Sequence, residues 1–151
     1  MFNVFKKKHI EKTLGQWGEE IAQKEYKKQG YKIVGTNIFN RRGKRAGEID
    51  FIAKDKKVIV FVEVKTRTSG IDRFGKGAES VNVFKQRKLL KAVKIYLRAH
   101  PDYASFRPQI DVCLVEVDPS TRLRVKGEET RTLDKPQYSV KIIRNAVEDW
   151  N

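Results

Sequence analysis

The segment GEIDFIAKDKKVIVFVEVKTRT, residues 47–68, holds two β-prone runs on either side of a short polar turn. EIDFIAK (48–54) reads as one strand, VIVFVEVKT (58–66) as the next, and DKK turns the chain between them. Val58 to Val64 is almost continuously apolar, the pattern of a strand covered on both faces. Glu63 and Lys65 interrupt it. Side chains two apart on a strand share a face, so an acid and a base sit together near the end of a central strand. Alone, this pattern fits equally a strand end emerging into water with an exposed ion pair. The neighbouring strand adds to it. Ile49 and Phe51 are expected on one face, with Glu48 and Asp50 on the other. A turn centred near Asp55 to Lys57 then brings Asp50 beside Glu63. Two adjoining carboxylates repel, and a divalent cation relieves the repulsion. Magnesium or manganese takes such oxygen ligands and keeps waters for a substrate phosphate. A neighbouring Lys65 can orient or deprotonate the attacking water and offset charge in a phosphorane-like transition state.

Outward from this hairpin, residues 12–29 read as an amphipathic helix, with Leu14, Trp17, Ile21, Ala22 and Tyr26 at helical spacing. Thr13 is placed to cap it and Gly30 to end it. YKIVGTNIF (31–39) reads as a strand and RRGKRAG as a basic turn. After the hairpin, residues 67–80 are glycine-rich and polar, as expected of a mobile loop. Residues 81–98 read as a second helix, apolar at Val81, Phe84, Leu89, Val93, Tyr96 and Leu97. Its other face carries Lys85, Arg87, Lys88, Lys91, Lys94 and Arg98. IDVCLVEV (110–117) is a fourth strand; 118–137 is polar, with a hairpin placed around Gly127. VKIIRNAVEDW reads as a strand running into a short helix. Three strands form an antiparallel meander, and the second helix crosses over to lay the fourth strand parallel to the third. The fold class is α/β: an αβββαβ core with a central mixed sheet flanked by helices. Residues 1–11 are a basic arm, and 12–151 form a single domain.

Charge narrows the partners. The chain has 33 Lys and Arg against 19 Asp and Glu, a net charge of +14, which attracts polyanions, nucleic acid first and an anionic membrane second. Arg41, Arg42, Lys44 and Arg45 precede Asp50, Arg67, Arg73 and Lys76 follow Lys65, and Lys85, Arg87, Lys88 and Lys91 lie on the second helix. Such residues hold phosphates without reading sequence, although the helical stripe also fits a solvated face. The single cysteine, Cys113, lies in an apolar run and suits a reducing compartment. No segment has the length and apolarity of a signal sequence or a membrane span, so a cytoplasmic protein is expected. His9 and His100 have no metal-ligand spacing and read as surface residues; Trp17 and Phe84 read as core.

Together the pieces resemble the PD-(D/E)xK nuclease superfamily and its restriction-endonuclease-like core. The closer resemblance is to the bacterial YraN-type family, which is similar to archaeal Holliday junction resolvases. It rests on Gly15-x-x-Gly18-Glu19-x-x-Ala22, Gly47-Glu48-Ile49-Asp50 and Phe61-Val62-Glu63-Val64-Lys65-Thr66-Arg67. The Lys85 helix, Ile110-Asp111-Val112 and the final IIRNAVEDW extend it. The resemblance implies Asp50 and Glu63 as metal ligands, with the Val64 carbonyl a further one, and Lys65 as the catalytic lysine. It implies Glu19 as an acid completing the site, although Glu19 beside Glu20 and Glu25 also fits a solvated helix face. Glu48 is placed either in an outer contact or second-metal role, or in a salt bridge with an arginine of RRGKR. Asp111 is placed either in the site or in a pair with a local arginine. Ile49 stands where the superfamily's named motif has proline, which related nucleases often lack. The expected function is metal-dependent phosphodiester hydrolysis in DNA, including branched or structured DNA, with Mg2+ or Mn2+ as cofactor and a two-fold homodimer as assembly. The alternatives are a non-catalytic nucleic-acid-binding protein on the same fold, and an interaction module whose basic surface meets a membrane or an acidic protein.

Overall fold

The computed structural model describes residues 12–39, 47–70, 83–118 and 137–148. Helix α1 (Leu14–Lys28) is followed by strands β1 (Lys32–Phe39), β2 (Glu48–Lys54) and β3 (Val58–Thr68). Helix α2 (Val83–Ala99), a short 3-10 turn at Pro101–Tyr103, β4 (Arg107–Val117) and β5 (Tyr138–Ile143) complete the order.

Thr13 caps α1 as expected. Its hydroxyl accepts from Gln16 N at 3.2 Å, and Gln16 Oε1 accepts from Thr13 N at 3.0 Å. This reciprocal pair satisfies two amides at the helix start. Gly30 follows the last turn with φ +91°, a left-handed conformation that glycine reaches without a Cβ penalty.

The five strands run in the spatial order β1-β2-β3-β4-β5. β1, β2 and β3 pair antiparallel, β3 and β4 parallel, and β4 and β5 antiparallel. The mixed sheet with a parallel crossover through α2 is the topology the sequence predicts. β3 is its centre: Ile59, Val60, Phe61 and Val62 are all fully buried. Each such side chain contributes about 1.5–3 kcal/mol of burial, which anchors the strand that carries Glu63 and Lys65.

The sheet separates two cores. On the α1 side, Ile21, Ala22 and Tyr26 pack with Phe51, Val60, Val62, Cys113 and Val115. On the α2 side, Leu89, Ala92 and Val93 pack with Ile49, Ile52, Ile59, Phe61 and Ile110. Each helix covers one face, and each strand's alternation divides its residues between them.

Several expectations need correction. Ile49 and Phe51 do not share a face: Ile49 lies in the α2-side core and Phe51 in the α1-side core. Strict alternation fails here, opposite Asn37, whose φ of +49° marks irregular backbone in β1. The third strand runs to Thr68, two residues past its expected end, and the fourth begins at Arg107 rather than 110. These extra residues complete an eleven-residue parallel ladder, whose pairing overrides their polar composition. Residues 144–146 after β5 form a turn, not the start of a helix, with Asn145 at φ +49°. Phe84 is 66% exposed, with the Lys88 ammonium 4.7 Å from its ring centre, because it falls off the buried stripe of α2. His100 is half-buried rather than a bare surface residue: its ring stacks on Tyr96 at 3.9 Å and its Nδ1 lies 2.8 Å from the Tyr96 carbonyl. The basic arm, the loop 71–80, His9, Val81, the Gly127 hairpin and the final Asp149 and Trp150 lie outside the described residues. Among the described residues no helix is long and apolar enough to cross a membrane.

Candidate functional site

The β2–β3 ladder ends at Phe51 and Val62, and just beyond it Asp50 and Glu63 line one cavity and interact electrostatically. Val62 and Val64 pack on the α1 side, so Glu63 between them points to the α2 side. There a cavity of about 180 Å³ is lined by Gly47, Glu48, Asp50, Glu63, Lys85, Lys88 and Leu89. Asp50 Oδ2 accepts a hydrogen bond from Val64 N at 2.6 Å, and Lys65 Nζ donates to Glu63 Oε1 at 2.8 Å. The hairpin therefore gathers Asp50, Glu63, Val64 and Lys65. Val64 enters through its N–H, a donor that residue type alone does not reveal.

The electrostatics are those of crowded acids. Burial pushes the Asp50 carboxyl up to about 7, and the charge of Glu63 adds to it. The Val64 N–H opposes the shift, while Glu19 and Glu48 reinforce it. Glu19 is also raised, first by burial and then by Glu48 and Glu63. Four carboxylates thus share one field, with Lys65 the ammonium paired within it. Glu20 and Glu25 take the solvated role instead, Glu20 pairing with Lys12 at 2.7 Å and Glu25 accepting from Gln29 at 3.0 Å. The donors of the cluster are hard oxygens, the chemistry that suits magnesium or manganese. Among the described residues no three His, Cys, Asp or Glu side chains converge as a ready cage. Asp50 and Glu63 offer two carboxylates to one cavity, a number that would suit an ion keeping several waters.

Two glycines set this geometry. A Cβ on Gly18 would fall 1.8 Å from Thr66 Oγ1, so α1 presses directly onto β3 next to Glu19. Gly47 has φ +101°, and a Cβ there would meet the Lys88 carbonyl at 2.8 Å. That contact seats the start of β2 against α2, beside Glu48 and Asp50. The sequence signal for both is small: a glycine immediately before each acid.

The remaining candidates divide. Lys85 and Lys88 line the cavity, whereas Arg87 is exposed and does not. Arg67 lies on β3, not on a loop, and forms an ion pair with Glu116 of β4. Arg41, Arg42, Lys44 and Arg45 lie outside the described residues, as do Arg73 and Lys76. Asp111 takes the ion-pair alternative on the α1 side. It is fully buried, accepts from Tyr26 Oη and Gln109 Nε2 at 2.7 Å each, and faces Arg144 at 3.4 Å. Its arginine is 33 residues away in sequence rather than local.

The profile of the uncharacterised protein family UPF0102 matches residues 18–115, from Gly18 through the hairpin, α2 and most of β4. A UPF0102 protein of Caldanaerobacter subterraneus subsp. tengcongensis is 42% identical over 113 residues, 75% of this chain and 87% of that protein. One from Clostridium botulinum (strain 657) is 36% identical over 138 residues, covering 91% of this chain and 96% of its own. One from Acinetobacter baumannii (strain AYE) is 33% identical over 137 residues, with the same two coverages. The chain therefore belongs to the UPF0102 family, the YraN-type group to which its motifs point.

Proposed function

We propose that this protein is a metal-dependent endonuclease that hydrolyses phosphodiester bonds in DNA, with branched or structured DNA among its substrates. The observation that carries the reading is Asp50 and Glu63 lining one cavity, with Lys65 held at Glu63. A protein that only bound phosphates would gain nothing from two carboxylates placed where an anion must approach.

In this reading Asp50 and Glu63 would hold Mg2+ or Mn2+, with the Val64 carbonyl a further ligand, and Glu19 would complete the set only by moving in, since it does not line the cavity. When bound, the ion supplies Lewis-acid polarisation of the phosphoryl oxygen and lowers the pKa of a water. Lys65 orients the attacking water and offsets negative charge on the transferring phosphoryl group. Glu48 acts as an outer partner of the same cluster. Lys85 and Lys88 bring cations to the cavity wall, where they hold the phosphates that flank the scissile bond. The resemblance to resolvases also implies a two-fold dimer, which sedimentation would detect.

The test offers the protein linear, nicked, flapped and four-way DNA, with and without magnesium or manganese, beside Asp50→Ala and Lys65→Ala. Metal-dependent cleavage lost in both variants is the expected result. Binding without cleavage by any version would assign the fold to a non-catalytic nucleic-acid-binding role instead. No binding at modest salt would leave an interaction module with another acidic partner.

A further inference from the structure

The opposite end of the same hairpin is built differently. Asp55, Lys56 and Lys57 form the β2–β3 turn and, with Gly30, Lys32, Lys54 and Val58, line an open cavity of about 680 Å³. The turn is firmly held. Asp55 Oδ1 accepts from Lys57 N and Val58 N at 2.7 Å each, and Asp55 N donates to the Val58 carbonyl at 3.1 Å. Arg107 N donates to the Lys57 carbonyl at 2.8 Å, tying the turn to the start of β4. The one acid of the cavity is thereby committed to backbone amides. Lys32, Lys56 and Lys57 are exposed, and among the described residues no carboxylate pairs with them. Lys54 is fixed separately, its ammonium 5.5 Å from the Tyr103 ring centre and 5.1 Å from that of Phe106.

A rigid concave surface rimmed by point-charge ammonium groups suits an anion with repeating charge, which a phosphodiester backbone supplies. Val58 and Glu63 lie five residues apart on β3, about 17 Å of strand, so the turn and the carboxylates are separate ends of the hairpin. We propose that the β2–β3 turn is a second phosphate-contacting surface, in which Lys32, Lys56 and Lys57 hold a nucleic-acid backbone at the end of the hairpin away from the carboxylates. The choice of nucleic acid rests on the function proposed above; the cationic surface itself does not.

The test is fluorescence anisotropy with a labelled 20-bp duplex, in EDTA so that nothing is cut, across about 50–200 mM salt. The proteins are the wild type and the triple variant Lys32→Ala/Lys56→Ala/Lys57→Ala, each checked by thermal melting. The triple variant should bind about tenfold or more weaker at intermediate salt, with a salt slope shallower by roughly 2–3. A triple variant with unchanged affinity and slope overturns the second surface, even if metal-dependent cleavage is present. Weakened binding in a protein that never cuts DNA sustains the surface and removes the enzymatic reading. Absence of duplex binding by the wild type overturns the proposal, as does lysine-dependent binding to phosphatidylserine vesicles with duplex binding unaffected.

Discussion

The Lys65 ammonium lies 2.8 Å from Glu63 Oε1, and Glu63 lines the same cavity as Asp50. Lys65 is 33% exposed, so water screens the pair and it adds at most about 1 kcal/mol to stability. In the proposed function its value is chemical. Lys65→Ala should melt within about 2–4 °C of the wild type, yet cut DNA about 10²–10⁴-fold more slowly at saturating magnesium. Lys65→Arg keeps the charge but replaces the compact ammonium with a planar guanidinium, and should recover little activity. Initial cleavage rates beside thermal melts check this. An alanine variant that retains more than about a tenth of the wild-type rate would remove Lys65 from the chemistry.

Asp50 makes the fold pH-dependent. Its carboxyl is raised from 3.8 to about 7 by burial and by Glu63. A raised carboxyl binds its proton more tightly in the folded chain, so its stabilising contribution is present at low pH. That contribution is lost as pH rises through about 7. Asp50→Asn removes the charge that burial penalises. The melting temperature of Asp50→Asn relative to wild type should therefore climb between pH 5 and 8, by about 2–4 °C for each kcal/mol. Magnesium at pH 8 should raise the wild-type melting temperature and leave that of Asp50→Asn nearly unchanged. A difference between the two proteins that stays flat across this pH range would show that Asp50 does not titrate there.

Gly18→Ala addresses the placement of Glu19. The added methyl would fall on Thr66 Oγ1, with Thr66 Cβ and Cγ2 at 2.8 Å, so α1 must lift from β3. Overpacking of this kind costs about 1–3 kcal/mol, and the shift carries Glu19 away from Glu48 and Glu63. Both melting temperature and cleavage should fall. Thr66→Ala in the same chain removes Oγ1 and Cγ2 and should restore part of each. No rescue in the double variant would mean that the contact does not position the helix.

Much of this arrangement was legible in the sequence because it depends on period and turn length. The apolar run Val58–Val64 marked the central strand, and a turn at Asp55–Lys57 was enough to bring Asp50 to Glu63. Thr13 and Gly30 bounded α1 through local backbone chemistry. What depended on packing was hidden. The face change between Ile49 and Phe51 follows from irregular backbone beside Asn37, which no alternation rule contains. Exposure of Phe84 depends on which face of α2 meets the sheet, His100 stacks on Tyr96 one helical turn earlier, and Arg67 pairs with Glu116, distant in sequence. The partners of Asp111 were hidden for the same reason, since they come from α1, β4 and the turn after β5.

Those partners lead to a prediction that separates structure from chemistry. Asp111 Oδ2 accepts from Tyr26 Oη and faces Arg144, while Oδ1 accepts from Gln109 Nε2 and from Asn145 N at 3.1 Å. Removing the carboxylate strands buried donors, at about 1–3 kcal/mol each, whereas the half-exposed Arg144 regains water. Asp111→Ala should therefore lower the melting temperature by roughly 5–15 °C. Tyr26→Phe removes one bond and its donor together and should cost only about 1 kcal/mol. Because Asp111 lies on the α1 side, away from the cavity at Asp50 and Glu63, both variants should cut DNA at near wild-type rates while folded. Asp111→Asn provides the decisive contrast. If it melts like the wild type but loses cleavage, Asp111 acts in the chemistry after all; if it melts lower and still cuts, the buried carboxylate is a clamp joining the start and end of the domain.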